Sequence, residues 1–212
     1  MANDFDRDEC LVRARNGDRD ALLTLFAHEE ARIRRMVELR LDPALRRRVD
    51  PSDVVQEAWI DAAARFEGWC ARTTLPFQAW LRLVAAEALA RVHRQHLGAH
   101  MRDALREVRV DSRPSIGADA LAEAFVTSQT TPTQAVRREE VRTRVLEALS
   151  ELDEVDREIV ALRHFEGLSN EEAAAELAIE PAAASKRFLR ALVRLRPALK
   201  ALDPGFERQR QP

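Results

Sequence analysis

Between Pro181 and Leu202 the chain carries six basic residues (Lys186, Arg187, Arg190, Arg194, Arg196 and Lys200) and no acid. At about 100° per residue, Lys186, Arg187, Arg190 and Arg194 fall on one side of a helix; Ala184, Phe188, Ala191, Leu192 and Leu195 fall on the other. A cationic stripe of this kind can contact phosphates and base edges where a groove admits a helix. Taken alone, it can equally be a solvated basic face. A second constellation lies on a helix starting near Asp53. Asp53, Gln56, Glu57 and Ile60 recur at i, i+3, i+4 and i+7, opposite an apolar side of Val55, Ala58, Trp59, Ala62 and Phe66. Acids and an amide around one isoleucine can meet a basic protein partner, giving orientation more than bulk affinity.

Other chemistries find little support. His93, His96 and His100 could share a helical face, but no carboxylate or cysteine joins them and Gly98 intervenes, so no metal is expected. Cys10 and Cys70 lie 60 positions apart without a CxxC or zinc spacing, which predicts free thiols in a reducing, cytoplasmic compartment. There is no nucleophile–base pair and no phosphate-binding glycine loop. The expectation is a non-enzyme without a cofactor.

Helices must position both constellations. The 212 residues are 46% hydrophobic and 33% charged, with six glycines, nine prolines and no tyrosine, which predicts an all-α chain with a folded core. No apolar run approaches the ~20 residues of a membrane span, so no membrane partner is expected. The net charge of −2 hides segregation, since 32 of the 34 basic residues are arginines and they cluster. A first helical block is predicted over about 6–108. It holds helices over 8–16 and 19–41, one from Asp53 to about Phe66 with Asp50 as cap and Pro51 at its first position, and one over 77–97. Residues 67–76 read as a loop. Residues 109–131 read as a flexible linker, with at most a short helix at 118–125. Thr131-Pro132-Thr133-Gln134 then opens a second block over 132–202, followed by a tail.

In that block Phe165-Glu166-Gly167-Leu168 ends a helix and Ser169-Asn170-Glu171-Glu172 is a capping box. A short helix over 170–177, a turn at Ala178-Ile179-Glu180 and a helix from Pro181 make a helix-turn-helix. The segment LDEVDREIVALRHFEGLSNEEAAAELAIEPAAASKRFLRALVRLR resembles the fourth conserved region of bacterial sigma factors of the extracytoplasmic-function group. The resemblance implies binding to the minus-thirty-five promoter element through Ala183, Ser185, Lys186, Arg187, Arg190 and Arg194. Ala178 stands where the family often has glycine, and Glu180-Pro181 replaces the usual serine cap. Ala182-Ala183-Ala184 offers few side chains for base contacts.

DPSDVVQEAWIDAAARF resembles the region-two helix of the same family, which implies that Asp53, Gln56 and Glu57 dock on the clamp helices of core RNA polymerase; Ile60, the apolar residue within that stripe, is placed in the same polymerase-binding set. In FQAWLRLVAAEALARVHRQHL, Phe77, Trp80, Leu81, Val84, Ala88 and Val92 have core spacing; Gln78, Arg82, Arg91, Arg94 and Gln95 are placed outside. The resemblance makes this the minus-ten helix, with Arg91 and Arg94 toward DNA and 67–76 the loop that captures a flipped base; Trp69, in that loop, is open between stacking on such a base and packing on the domain. Glu87 is expected to pair with Arg91. A cluster of Arg32, Arg34, Arg35, Arg40, Arg46, Arg47 and Arg48 is open between a solvated face, a polymerase contact and a DNA contact.

The chain is thus expected to comprise two helical domains, region two at 6–108 and region four at 132–202, joined by a flexible linker. Its expected partners are core RNA polymerase and promoter DNA, as duplex and opened strand, with an anti-sigma factor as a further candidate. The alternatives are a stand-alone helix-turn-helix regulator, which binds duplex without polymerase, and a helical adaptor without salt-dependent DNA affinity.

Overall fold

The structure is a computed structural model that describes residues 5–42, 44–72, 75–96, 116–129 and 135–200. The chain divides into two compact units, Met1–Pro114 and Ser115–Pro212. Among the described residues the regular elements are all helical.

In the first unit the helices are α1 (Arg7–Arg15), α2 (Arg19–Arg40), α3 (Pro51–Arg72) and α4 (Phe77–His96). Local chemistry sets their starts. Asp6 caps α1 by accepting from the Asp8 and Glu9 amides, and Asp18 caps α2 through the Ala21 amide. Asp50 accepts from the Ser52 amide at 2.8 Å, ahead of Pro51 at the first position of α3. The predicted apolar positions make the core. Leu25, Phe26, Ile33, Met36, Val37 and Leu41 meet Val55, Ala58, Ala62 and Phe66 of α3 and Phe77, Trp80, Leu81, Val84, Ala88 and Val92 of α4. Leu22 and Trp59 are partly buried against that core, Trp59 stacking on Phe26 with ring centroids 4.8 Å apart.

One boundary differs from the expectation. Residues 67–72, expected as loop, continue α3, because Trp69 has apolar partners on the same face as Phe66. Trp69 packs on Phe66, Phe77 and Trp80 at centroid distances of 5.2–5.7 Å.

The second unit comprises α5 (Ala118–Gln129), α6 (Ala135–Ser150), α7 (Glu154–Val160), α8 (Asn170–Glu176) and α9 (Pro181–Lys200). A π-helical turn, Ala161–Phe165, extends α7. The expected linker is shorter than 109–131. Its last part is α5, which packs on α6 and buries Leu121, Ala122, Phe125 and Val126, with Ile116 just ahead. Leu121–Ala122 and Phe125–Val126 recur at helical spacing, and that amphipathic signal outweighs the Ser and Thr around it. Residues 109–115, the 131–134 cap and the tail lie outside the described residues. The helix-turn-helix signals hold. Ser169 Oγ accepts from the Glu172 amide at 3.1 Å while Glu172 accepts from the Ser169 amide at 2.8 Å, a complete capping box. Asn170 Nδ2 donates to the Pro181 carbonyl at 2.9 Å and ties the starts of α8 and α9 together.

Candidate nucleic-acid and polymerase interfaces

On α3 the geometry follows from its period. Val54, Val55, Ala58 and Ala62 face the core, so Asp53, Gln56, Glu57 and Ile60 are turned outward and all four are exposed. Ile60 is 70% exposed, although a β-branched apolar side chain gains most when buried. Among the described residues no ion pair engages Asp53 or Glu57. The stripe therefore presents two open carboxylates, an amide and an uncovered isoleucine on one rigid helix.

The DNA-directed residues of the first unit are less uniform. Arg94 is exposed near the end of α4. Arg91 is half-buried and bound to Asp61 of α3, while Glu87 pairs with Arg65, so the expected Glu87–Arg91 pair is replaced by two pairs between α3 and α4. Asp61 and Arg65, four residues apart on α3, lie 3.9 Å from each other, and each is closer to its partner on α4. Arg82, expected on the outer face, is 9% exposed and belongs to the interior. Trp69, open between base stacking and packing, is 5% exposed, its Nε1–H donating to the Leu75 carbonyl at 3.1 Å and Arg15 lying over its ring at 5.3 Å. Buried between aromatic neighbours, it has no free face on which a base could stack. The arginine cluster is partly committed as well. Arg34 donates to Glu30 at 2.8 Å and Ser52 at 2.7 Å, Arg46 donates to the Glu38 carbonyl, and Arg40 is buried. Of the histidines, His93 is half-buried and accepts from the Asp42 amide, His96 is exposed, and His100 lies outside the described residues. Cys10 and Cys70 are free thiols, partly buried.

In the second unit α9 buries Ala184, Phe188, Ala191, Leu195, Ala198 and Leu199, and Arg163 stands over the Phe188 ring at 4.3 Å. Lys186, Arg190 and Arg194 are exposed, while Ala183, Ser185 and Arg187 are half-buried. Leu189 and Val193 are 59% and 69% exposed beside these cations. Arg187 Nη1 donates to Asp153 at 2.9 Å and to Asp156 at 2.6 Å; Arg190 Nη2 reaches Asp156 at 3.4 Å. Arg194 donates to the Glu151 carbonyl at 3.4 Å. Burial pushes the Asp153 carboxyl up, but the Asp156 amide and the Arg187 guanidinium more than offset it and hold it below the usual carboxylate range. Sequence reasoning missed the role of Asp153 and Asp156 toward these arginines. A clue was available in the Asp-x-x-Asp spacing, which places Asp153 at a cap and Asp156 on the first turn behind it.

Residues 142–195 match the protein family described as Sigma-70, region 4. No curated protein matches the chain. A solved structure described as CnrH in complex with the cytosolic domain of CnrY aligns with 93% of this chain and 100% of its own, at a TM-score of 0.53 and 22% identity. At that identity the likeness concerns the fold. The matched segment spans the last turns of α6, the helix-turn-helix and most of α9, including every α9 residue expected at DNA. The match over residues 142–195 agrees with the resemblance of this segment to the fourth region of the extracytoplasmic-function group, and it supports a role in promoter recognition for the unit that carries it.

Proposed function

We propose that the first unit is the region-two domain, docking on core RNA polymerase through Asp53, Gln56, Glu57 and Ile60. The second unit is then the domain that lays α9 in the major groove of the upstream promoter element. The observation that carries the docking assignment is the open stripe on α3, four outward side chains of which the isoleucine is uncovered. In this reading Lys186, Arg187, Arg190 and Arg194 supply phosphate and base contacts, with Ala183 and Ser185 closest to the helix start. Arg91 and Arg94 of α4 face the downstream element, and DNA opening proceeds on the polymerase. Trp69 is withdrawn from that set by its burial. RNA synthesis belongs to the polymerase, so the chain itself is no enzyme and works where polymerase is, in the cytoplasm. CnrH was solved with the cytosolic domain of CnrY; an anti-sigma protein covering one of these surfaces is a partner of the same kind for this chain.

Co-purification with core polymerase tests the docking assignment. The wild-type chain is expected to bind stoichiometrically and the Asp53→Ala/Gln56→Ala/Glu57→Ala variant to be lost from the complex with its helix content intact. Equal retention of both proteins sinks it. Wild type that ignores polymerase yet binds duplex favours a stand-alone regulator.

A further inference from the structure

A buried carboxylate has to keep its cations. Asp156 is 2% exposed, and its oxygens take Arg187 Nη1 at 2.6 Å and Arg190 Nη2 at 3.4 Å. Asp153, more exposed, adds a second carboxylate to the same Nη1 at 2.9 Å. Stripping these cations from Asp156 would leave a desolvated charge without a partner, a far costlier event than opening a surface ion pair. The contact is therefore a fixed part of the helix-turn-helix.

Two consequences follow for DNA. The first concerns charge. Nonspecific affinity grows with the number of phosphates that free cations neutralise, and Asp153 and Asp156 bring two negative charges against Arg187 and Arg190. The second concerns geometry. A guanidinium is a rigid planar fork of five N–H donors, and the carboxylate bonds of Arg187 all use Nη1. Held at that nitrogen, the fork is oriented, with Nη2 and Nε left to donate elsewhere.

We propose that Asp153 and Asp156 set the DNA specificity of this unit: they cancel the charge of Arg187 and Arg190 toward arbitrary duplex and fix Arg187 as an oriented donor to the preferred site. The proposal rests on the reading that α9 enters the major groove. Both are positioning residues, since they act through Arg187 and Arg190.

The test uses the full chain and two probes, a random-sequence duplex and a duplex that the wild-type chain selects from a random pool, titrated by fluorescence anisotropy at several salt concentrations. The variants are Asp153→Asn, which keeps a good capping residue, and Asp156→Asn, which is near-isosteric. In each, affinity for random duplex is expected to rise several-fold. The slope of log K against log salt steepens by about 0.9 for each arginine that gains a phosphate. Affinity for the selected duplex rises less or falls, so the selected-to-random ratio drops. A ratio that stays constant or increases overturns the proposal. Asp153→Asn decides the matter alone if Asp156→Asn fails to fold. Lys186→Ala is the control on the underlying reading: if it changes neither titration, α9 is not the DNA-reading helix and the failure lies there.

Discussion

Ala178 is the one non-glycine residue with positive φ among the described residues, at +53°. It closes α8, where the Ile179 amide returns to the Ala174 carbonyl at 3.0 Å and the Ala178 amide to the Ala175 carbonyl at 3.2 Å. The left-handed region brings an L-residue's Cβ against the following carbonyl at a cost of about 1–2 kcal/mol, which glycine avoids. Ala178→Gly is expected to stabilise the second unit by about 1 kcal/mol, less than the full strain because glycine also gains freedom in the unfolded chain. Urea unfolding measures it, and a variant no more stable than wild type would show the turn to be relaxed. At His93 the neutral imidazole is the useful form, since Nε2 accepts from the Asp42 amide at 3.3 Å. Burial pushes its pKa down from the ordinary value of about 6.5, with the Asp42 carboxylate opposing. The folded state then binds this proton less readily than the unfolded one. Stability from His93 is complete above about pH 6.5 and is lost as pH falls below that toward the folded value. The first unit should unfold at lower urea at pH 5.5 than at pH 7.5, and His93→Gln, which keeps an acceptor but does not titrate, should flatten that difference. An undiminished pH dependence in the variant assigns the effect to other groups.

Elements were legible where one face is apolar and the other charged. The starts of α3 and α8 could be read from Asp50-Pro51 and from Ser169 with Glu172, because those signals are local and complete within four residues. The end of α3 could not. Glu67-Gly68 looks like a break, and only the aromatic partners Phe77 and Trp80, contributed by the next helix, show why the helix persists to Arg72. The candidate site divides in the same way. Asp53, Gln56, Glu57 and Ile60 follow from a single helix period and are all outward. The states of Trp69 and Arg91 depend on neighbours 6 and 30 residues away, which the period of their own helices does not reveal. If Trp69 is core, Trp69→Ala should cost about 3–5 kcal/mol of first-unit stability. Trp69→Phe, which keeps a ring and loses the bond to the Leu75 carbonyl, should cost clearly less. Denaturant midpoints separate this from a DNA role, which would leave stability untouched and impair only promoter opening.

At the scale of the whole chain, each unit buries its own apolar set. Leu25, Phe26, Met36, Val55, Phe66, Trp69 and Leu81 lie in the first; Phe125, Val145, Leu149, Ile159, Leu162 and Leu195 lie in the second. Burial of this kind supplies most of the driving force for folding, so a substitution in one core acts on the stability of the unit that contains it. Changes at well-separated sites without shared partners are also expected to add. Trp69→Ala should therefore lower the melting transition of the first unit alone, and Ala178→Gly should raise that of the second alone. The double variant should show both shifts at their single-variant sizes. Scanning calorimetry on the full chain resolves the two transitions, with tryptophan fluorescence marking the first, since Trp59, Trp69 and Trp80 all belong to it. A single cooperative transition that both substitutions displace together would mean that the units fold as one body. The proposed polymerase and DNA surfaces would then have to be treated as parts of one folding unit.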